Sequence, residues 1–307
     1  MSGVNQIRYL THRQIDKEKW DKRISDSSNG LIYAYSFYLD YMAKNWDALI
    51  LNDYESVMPL PWNKKYGIYY LYQPFLTAQL GVFGNNLSLA LLDLFLRQIP
   101  SHFKYWDFYL NHQNVFPVNG FDLYQRSNYV LALDNSYEAL YNNYRENIKR
   151  NIRKCIQLDC TVERGFDAEK VISLAIQQMK IRDKETDDNI NRFRKLYNSL
   201  SEKKMAATYG VFSGKKELLA SAIFFYSHNR AYYILVGNHP NGKTIGASHT
   251  LIDAFIKDHA EKKILLDFEG SDIRNLAFFY SSFGSVEEKY AAIRLNKLPF
   301  YLKWLKK

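Results

Sequence analysis

The chain has 307 residues, 47% of them apolar and 24% charged, with a net charge of +9. This composition excludes a disordered or low-complexity chain and leaves room for one large domain or two of ordinary size. Two cysteines, Cys155 and Cys160, exclude a disulfide framework and a cysteine-based metal set, so the expected compartment is the cytoplasm and no metal is expected.

The positive charge is compatible with nucleic acid, a phosphorylated cofactor or an anionic surface, and selects none of them. Met1 to Tyr9 lacks the apolar run of a secretory signal. Tyr66 to Leu92 is uncharged, but Gly67, Gln73, Pro74, Gln79, Gly81 and Asn85-Asn86 interrupt it, so no transmembrane segment is expected there.

In chain order, Asp16 to Arg23 reads as a helix, and Ser36 to Asn45 as a second with Ser36 as its N-cap. Ala48 to Asn52 and Glu55 to Trp62 read as strands about an Asn52-Asp53 turn, followed by a strand over Gly67 to Tyr72. Leu87 to Ile99 is an apolar-periodic helix stopped by Pro100, and Tyr105 to Leu110 returns to strand. A strand over Ser127 to Leu133 closes the first half. One long helix is then expected from Tyr137 to Gln157, with Leu140, Tyr144, Ile148, Ile152 and Ile156 as its buried stripe.

The second half runs through a short strand at Val162 and helices over Asp167 to Arg182 and Ile190 to Glu202. Three consecutive strands follow, Ala206 to Phe212, Leu218 to Ser227 and Ala231 to Gly237, joined by tight turns. Helix over Ser248 to Glu261, strand over Ile264 to Phe268, helix over Asn275 to Ser282 and strand over Glu288 to Leu295 complete it. Both halves run helices, an antiparallel meander, a helix and a strand, so the expected class is α/β (α+β). The expected domains are 1–134 and 135–307.

Gly237 to Thr244 reads Gly-Asn-His-Pro-Asn-Gly-Lys-Thr and satisfies the P-loop pattern G-x-x-x-x-G-K-T. Three features oppose a nucleotide triphosphate there. The preceding strand belongs to a meander with antiparallel neighbours, whereas P-loop proteins build parallel sheets through helical crossovers. Only 63 residues follow Thr244. Pro240 removes an N–H donor where donors are the purpose.

The order meander, glycine-bearing loop, helix, strand, helix, strand resembles the GNAT acyltransferase fold. In that superfamily the loop between strand and helix wraps the pyrophosphate of acyl-CoA, using free amides at a helix N-terminus. The resemblance implies that Gly242, Lys243, Thr244, Gly246, Ala247 and Ser248 bind the donor. Leu266-Asp267-Phe268-Glu269-Gly270-Ser271 and Phe279-Tyr280-Ser281-Ser282-Phe283-Gly284 are similar to a signature of Fem-type aminoacyltransferases. Those enzymes carry two tandem GNAT-like domains and add amino acids from aminoacyl-tRNA to peptidoglycan precursors. The basic stretch Asn147 to Lys154 is also similar to a helix of that family. Most of residues 135–295 carries the resemblance, and the first half shares only the layout. Tyr280 stands where the family has lysine, and Glu269 where it has glycine.

The tandem GNAT-like reading implies an acceptor-side first domain and a donor-binding, catalytic second one. Tyr280 and Gly284 have the spacing of the tyrosine with which CoA-dependent members protonate a leaving thiolate, so Tyr280 is the expected acid and acyl-CoA the expected co-substrate. Aminoacyl-tRNA is the alternative donor, and the acceptor is an amine on a small molecule or cell-wall precursor. Asp267 and Glu269 alternate on a strand that would aim both at one face, as base or orienting group. They can equally pair with Arg274 or cap the next helix. Lys149, Arg150 and Arg153 either track tRNA phosphates or solvate a helix face. His249 is expected to pack rather than react. A non-catalytic binding module and a P-loop nucleotidase are the remaining alternatives.

Overall fold

The computed structural model describes residues 6–179, 184–270, 272–300 and 302. The last residues of the helix expected to Arg182, and Ser271 of the signature, lie outside the described residues. Two compact units divide the chain, residues 1–126 with 289–307, and residues 127–288. The second unit thus opens at 127 rather than 135 and closes at 288 rather than 307.

Unit 1 begins with β1 (Ile7–Leu10) and α1 (Lys17–Asp26), the latter capped by Asp16, which accepts from the Glu18 and Lys19 amides. In α2 (Ser36–Met42) the cap position is Tyr35. Ser36 is instead the first helical residue, because its amide and hydroxyl both donate to Asp21, at 2.7 Å each. Strands β2 (Asn45–Leu51), β3 (Ser56–Lys65) and β4 (Ile68–Tyr72) form the expected antiparallel meander, extended by β1 on β2. After β5 (Phe83–Gly84) and α3 (Leu89–Arg97), β6 (Phe103–Tyr109) lies parallel to β4. Leu92, Phe95 and Leu96 of α3 join Leu49, Leu51, Met58, Leu60, Trp106 and Phe108 in the core. Strand β2 is buried from Trp46 to Leu51 and β3 from Ser56 to Pro61, so the middle of this sheet is covered on both faces.

The strand β7 (Asp122–Ala132) leads into unit 2. The long helix expected from Tyr137 is two helices, α4 (Tyr137–Asn142) and α5 (Glu146–Gln157). Asn142 and Asn143 favour a helix end, Tyr144 packs edge-on against Phe283 at 5.2 Å, and Arg145 is extended, its amide donating to the Ser282 carbonyl at 2.9 Å. The restarted helix buries Ile148, Ile152 and Cys155, while Ile156 is 60% exposed.

Next come β8 (Thr161–Arg164), α6 (Ala168–Gln178) and α7 (Lys184–Glu202). The meander β9 (Ala206–Phe212), β10 (Leu218–Ser227) and β11 (Arg230–Asn238) is antiparallel throughout. Helices α8 (Pro240–Ile245) and α9 (Ala247–His259) then cross to β12 (Leu265–Asp267), parallel to β11. Leu251, Ile252, Phe255 and Ile256 of α9 pack on Tyr209, Ala222, Phe224 and Leu266. Last are α10 (Arg274–Ser281) and β13 (Val286–Asn296). Each unit is therefore a mainly antiparallel sheet flanked by helices, and the two repeat one order: four antiparallel strands, a helical crossover, a parallel strand.

Each parallel strand gains one further antiparallel neighbour. Beside β12 it is β7, through residues 130–132. Beside β6 it is β13, whose Ala292 to Asn296 pair with Tyr105 to Tyr109. Unit 1 is thus completed by the end of the described chain. Among the described residues no helix is long and apolar enough to cross a membrane, and no cluster of His, Cys, Asp or Glu could hold a metal ion.

Candidate functional site

The site expected after β11 is not an open loop. Pro240 occupies the first turn of α8, His239 caps it through Nδ1 on the Asn241 amide at 3.3 Å, and Lys243 and Thr244 lie on that helix. Gly242 is there for packing, since a Cβ on it would meet the Leu219 carbonyl oxygen at 2.1 Å. Thr244 Oγ1 donates to the Asn241 carbonyl at 2.8 Å, as a helix threonine does. These observations contradict the P-loop nucleotidase: the would-be phosphate loop spends its backbone donors within a helix, beside an antiparallel partner.

Gly246 separates the two helices. Its φ of +79° is left-handed, so it ends α8, whose Gly242 carbonyl accepts the Gly246 amide, and turns the chain into α9. Among the described residues no carbonyl accepts from the Ala247 and Ser248 amides. These two amides open α9 and, with its dipole, can hold an anion. Ser248 Oγ bonds the Asn238 side chain, tying this start to the end of β11. Of the six residues assigned to the donor, Gly246, Ala247 and Ser248 thus stand at a free helix start, while Gly242, Lys243 and Thr244 belong to the helix before it.

Basic side chains of α5 reach the same corner. Lys154 Nζ donates to the Thr244 carbonyl at 2.9 Å. Arg150, Arg153 and Lys154 line an open groove of about 610 Å³ with Glu146, Asn147 and Gln157. The expected stripe divides here. Lys149 turns inward, 3.3 Å from Glu146 and over the Tyr141 ring, whereas Arg150 and Arg153 are exposed. His249 packs edge-on against Phe279 at 5.0 Å, as a packing histidine should.

Beyond the carboxyl end of the short, parallel β11–β12 pairing lie the three residues expected to be catalytic. The strands share only the register positions Arg230–Leu265, Ala231–Leu266 and Tyr232–Asp267, and β12 then stops. Asp267 is 2% exposed and pairs with Arg230 at 2.6 Å; Arg230 also reaches Glu288 at 2.9 Å. The other Asp267 oxygen accepts the Glu269 amide at 2.8 Å. A carboxylate committed to a buried ion pair and a backbone amide orients its neighbours. Its partner is Arg230, not Arg274.

Glu269 does not share the Asp267 face. It lies beyond the strand at a φ of +66°, so strand alternation does not apply to it. Tyr280 is buried on α10, with its ring stacked on Phe268 at 4.7 Å and 20°. Burial first, and the nearby Glu269 charge second, push its phenol pKa upward, so the hydroxyl stays protonated. The structure therefore gathers Phe268, Glu269 and Tyr280, and sets Asp267 behind them. Arg230 and Glu288 escaped the sequence reading, in which Arg230 was turn and Glu288 an ordinary strand residue. The available signal was an arginine at the head of an otherwise apolar, buried strand.

Residues 142–273 match the family model of the acetyltransferase (GNAT) domain. No curated protein sequence matches the chain significantly. Among solved structures, FemX superposes with a TM-score of 0.63 at 14% identity, over 97% of this chain and 99% of its own. L-PGS from Bacillus licheniformis gives 0.53 at 9% identity, over 94% and 95%. A GCN5-related N-acetyltransferase from Sphaerobacter thermophilus gives 0.52 at 9%, over 95% and 96%. At these identities the likeness is one of fold, and it extends along nearly the whole chain.

Proposed function

Starting from an acyltransferase that carries a GNAT domain within a FemX-like fold, we propose that this chain moves an acyl group from acyl-CoA to an amine. The observation that carries the reading is the protonated Tyr280 phenol, held against Phe268 with Glu269 beside it. The donor pyrophosphate lies at the start of α9, on the Ala247 and Ser248 amides, with Lys154 and Arg150 at its edge. The amine nitrogen attacks the thioester carbonyl carbon. As the C–N bond forms, the amine proton passes to the Glu269 carboxylate. As the C–S bond breaks, the thiolate takes the Tyr280 proton, and a proton returned from Glu269 to Tyr280 resets the pair. Asp267 and Arg230 position this loop rather than exchange protons.

The acceptor is an amine on a small molecule or cell-wall precursor, bound on the unit 1 side, and the setting is the cytoplasm. A second reading, with aminoacyl-tRNA as donor, is favoured by the exposed Arg150 and Arg153 on the α5 groove. In that case binding to tRNA falls steeply with salt.

Melting in the presence of acetyl-CoA, longer acyl-CoAs or tRNA separates the two donors, since only a bound one raises the midpoint. With the responding donor, Tyr280→Phe should lower kcat by about a hundredfold with little change in KM. Full turnover by that variant would remove Tyr280 from the mechanism. A response to neither donor would overturn the acyl-transfer reading itself.

A further inference from the structure

Helix α10 carries two unlike apolar faces. With about 100° between successive residues, Ile273, Leu276, Ala277 and Tyr280 share one face, and Phe278 stands nearly opposite. Ile273 is the cap residue, and its carbonyl accepts the Leu276 and Ala277 amides at 2.9 and 3.0 Å, so the helical path holds from its start.

Burial falls away step by step along the Tyr280 face. Tyr280 is buried on Phe268, Ala277 is half-buried, Leu276 is 40% exposed and Ile273 is 63% exposed. Leu276 and Ile273 stand outside the packed core of unit 2. The face nevertheless stays apolar to the end of the helix, which makes a track of about 10 Å from Tyr280 to solvent. Phe278 is exposed as well, but Arg145 lies over its ring at 4.6 Å. Exposed apolar side chains scattered singly are ordinary, whereas a row that continues from the proposed acid has a direction.

That direction bears on the donor. Helix side chains lean toward the N-terminus, so the Tyr280 hydroxyl lies over the turn that carries Leu276 and Ala277. The sulfur that takes its proton is bonded to the acyl carbonyl carbon, so the thioester stands beside the same turn. Three groups extend from there. The pantetheine arm is rich in amides and runs to the pyrophosphate, and the acceptor amine meets Glu269. Only the acyl chain can be apolar along its whole length, and only for it does burial on this track contribute binding.

We propose that Leu276 and Ile273 seat the acyl chain of the donor, which makes the co-substrate a medium-chain acyl-CoA rather than acetyl-CoA. The inference rests on the acyl-transfer reading above, with Tyr280 as its acid.

Calorimetric titration of the full chain with CoA, acetyl-CoA and octanoyl-CoA tests the proposal and needs no acceptor. Wild type should bind octanoyl-CoA at least about tenfold more tightly than acetyl-CoA, since each fully buried methylene contributes about a factor of four. Leu276→Gln and Ile273→Ser should each remove most of that difference and leave the affinities for CoA and acetyl-CoA unchanged. Both replacements suit their positions, glutamine as a helix former and serine as a cap, so the fold is kept. Leu276→Met, which stays apolar at similar volume, should retain the preference. Phe278→Ser, on the opposite face, should leave all three affinities as they are. Equal affinity for acetyl-CoA and octanoyl-CoA would overturn the proposal while the acyl-transfer reading stands. So would a preference that Leu276→Gln and Ile273→Ser leave intact, or one that Phe278→Ser removes as fully as they do. Binding of none of the three ligands would overturn the reading and the proposal together.

Discussion

The imidazole of His249 is wedged between α5, α9 and α10. Its Nε2 faces Asn151 at 3.4 Å, and its Nδ1 is buried without a hydrogen-bond partner. Desolvation lowers its pKa to about 4, from an ordinary 6.5, with the nearby Gly246 backbone opposing only in part. The folded state therefore holds the neutral ring, while the unfolded chain takes up a proton at higher pH. Stability from this site is complete above about pH 6.5 and declines as pH falls toward 4, by on the order of 3 kcal/mol at most. Urea unfolding across that window should show the decline, and His249→Phe should flatten it. An unchanged slope in the variant would assign the acid lability to other groups. At the same scale, burial decides the role of Asp267. A carboxylate with Arg230 at 2.6 Å is more useful holding the Glu269 amide than exchanging protons.

Among the elements, the junction between α8 and α9 is constrained twice over. Gly246 combines a φ of +79° with a contact in which a Cβ would stand 2.6 Å from the Asn151 Cβ. Gly246→Ala should cost at least about 1–2 kcal/mol from backbone conformation alone, and more if α5 must move. Chemical unfolding measures the loss, and a variant as stable as wild type would mean that the junction adopts another conformation at little cost. This junction also shows what could be read from the chain. The β9–β10–β11 meander was legible because alternation and tight turns are local signals. The same local reading failed where tertiary contacts decide. Asn142 to Arg145 sits within a fourfold apolar periodicity, but packing against Phe283 and the bond to Ser282 divide the helix. Gly237 to Thr244 carries a phosphate-loop spelling, yet Pro240 starts a helix and Gly242 lets that helix lie on Leu219. The proposed catalytic corner was half legible. Tyr280 was reached through the family resemblance and its distance from Gly284, whereas the Arg230–Asp267 pair joins residues 37 apart in the chain and leaves no local trace.

At the scale of the molecule, the last regular strand belongs to the first unit. Ala292 to Asn296 satisfy the edge of β6, and Ala291 and Ile293 contribute to the unit 1 core. A chain cut after Glu288 should therefore lose cooperative unfolding of unit 1 while unit 2 keeps its own sheet. Limited proteolysis with mass analysis would show early cleavage within residues 1–126, and equal resistance in both units would contradict the assignment. The same strand sets a schedule. During synthesis β1 to β6 leave the ribosome before unit 2, yet the edge they form stays unpaired until residues 127–288 have also been made, and unit 2 can close in the meantime. Of the two units, the one begun earlier is finished later, which leaves its apolar edge exposed throughout the making of the other and in need of protection for that interval.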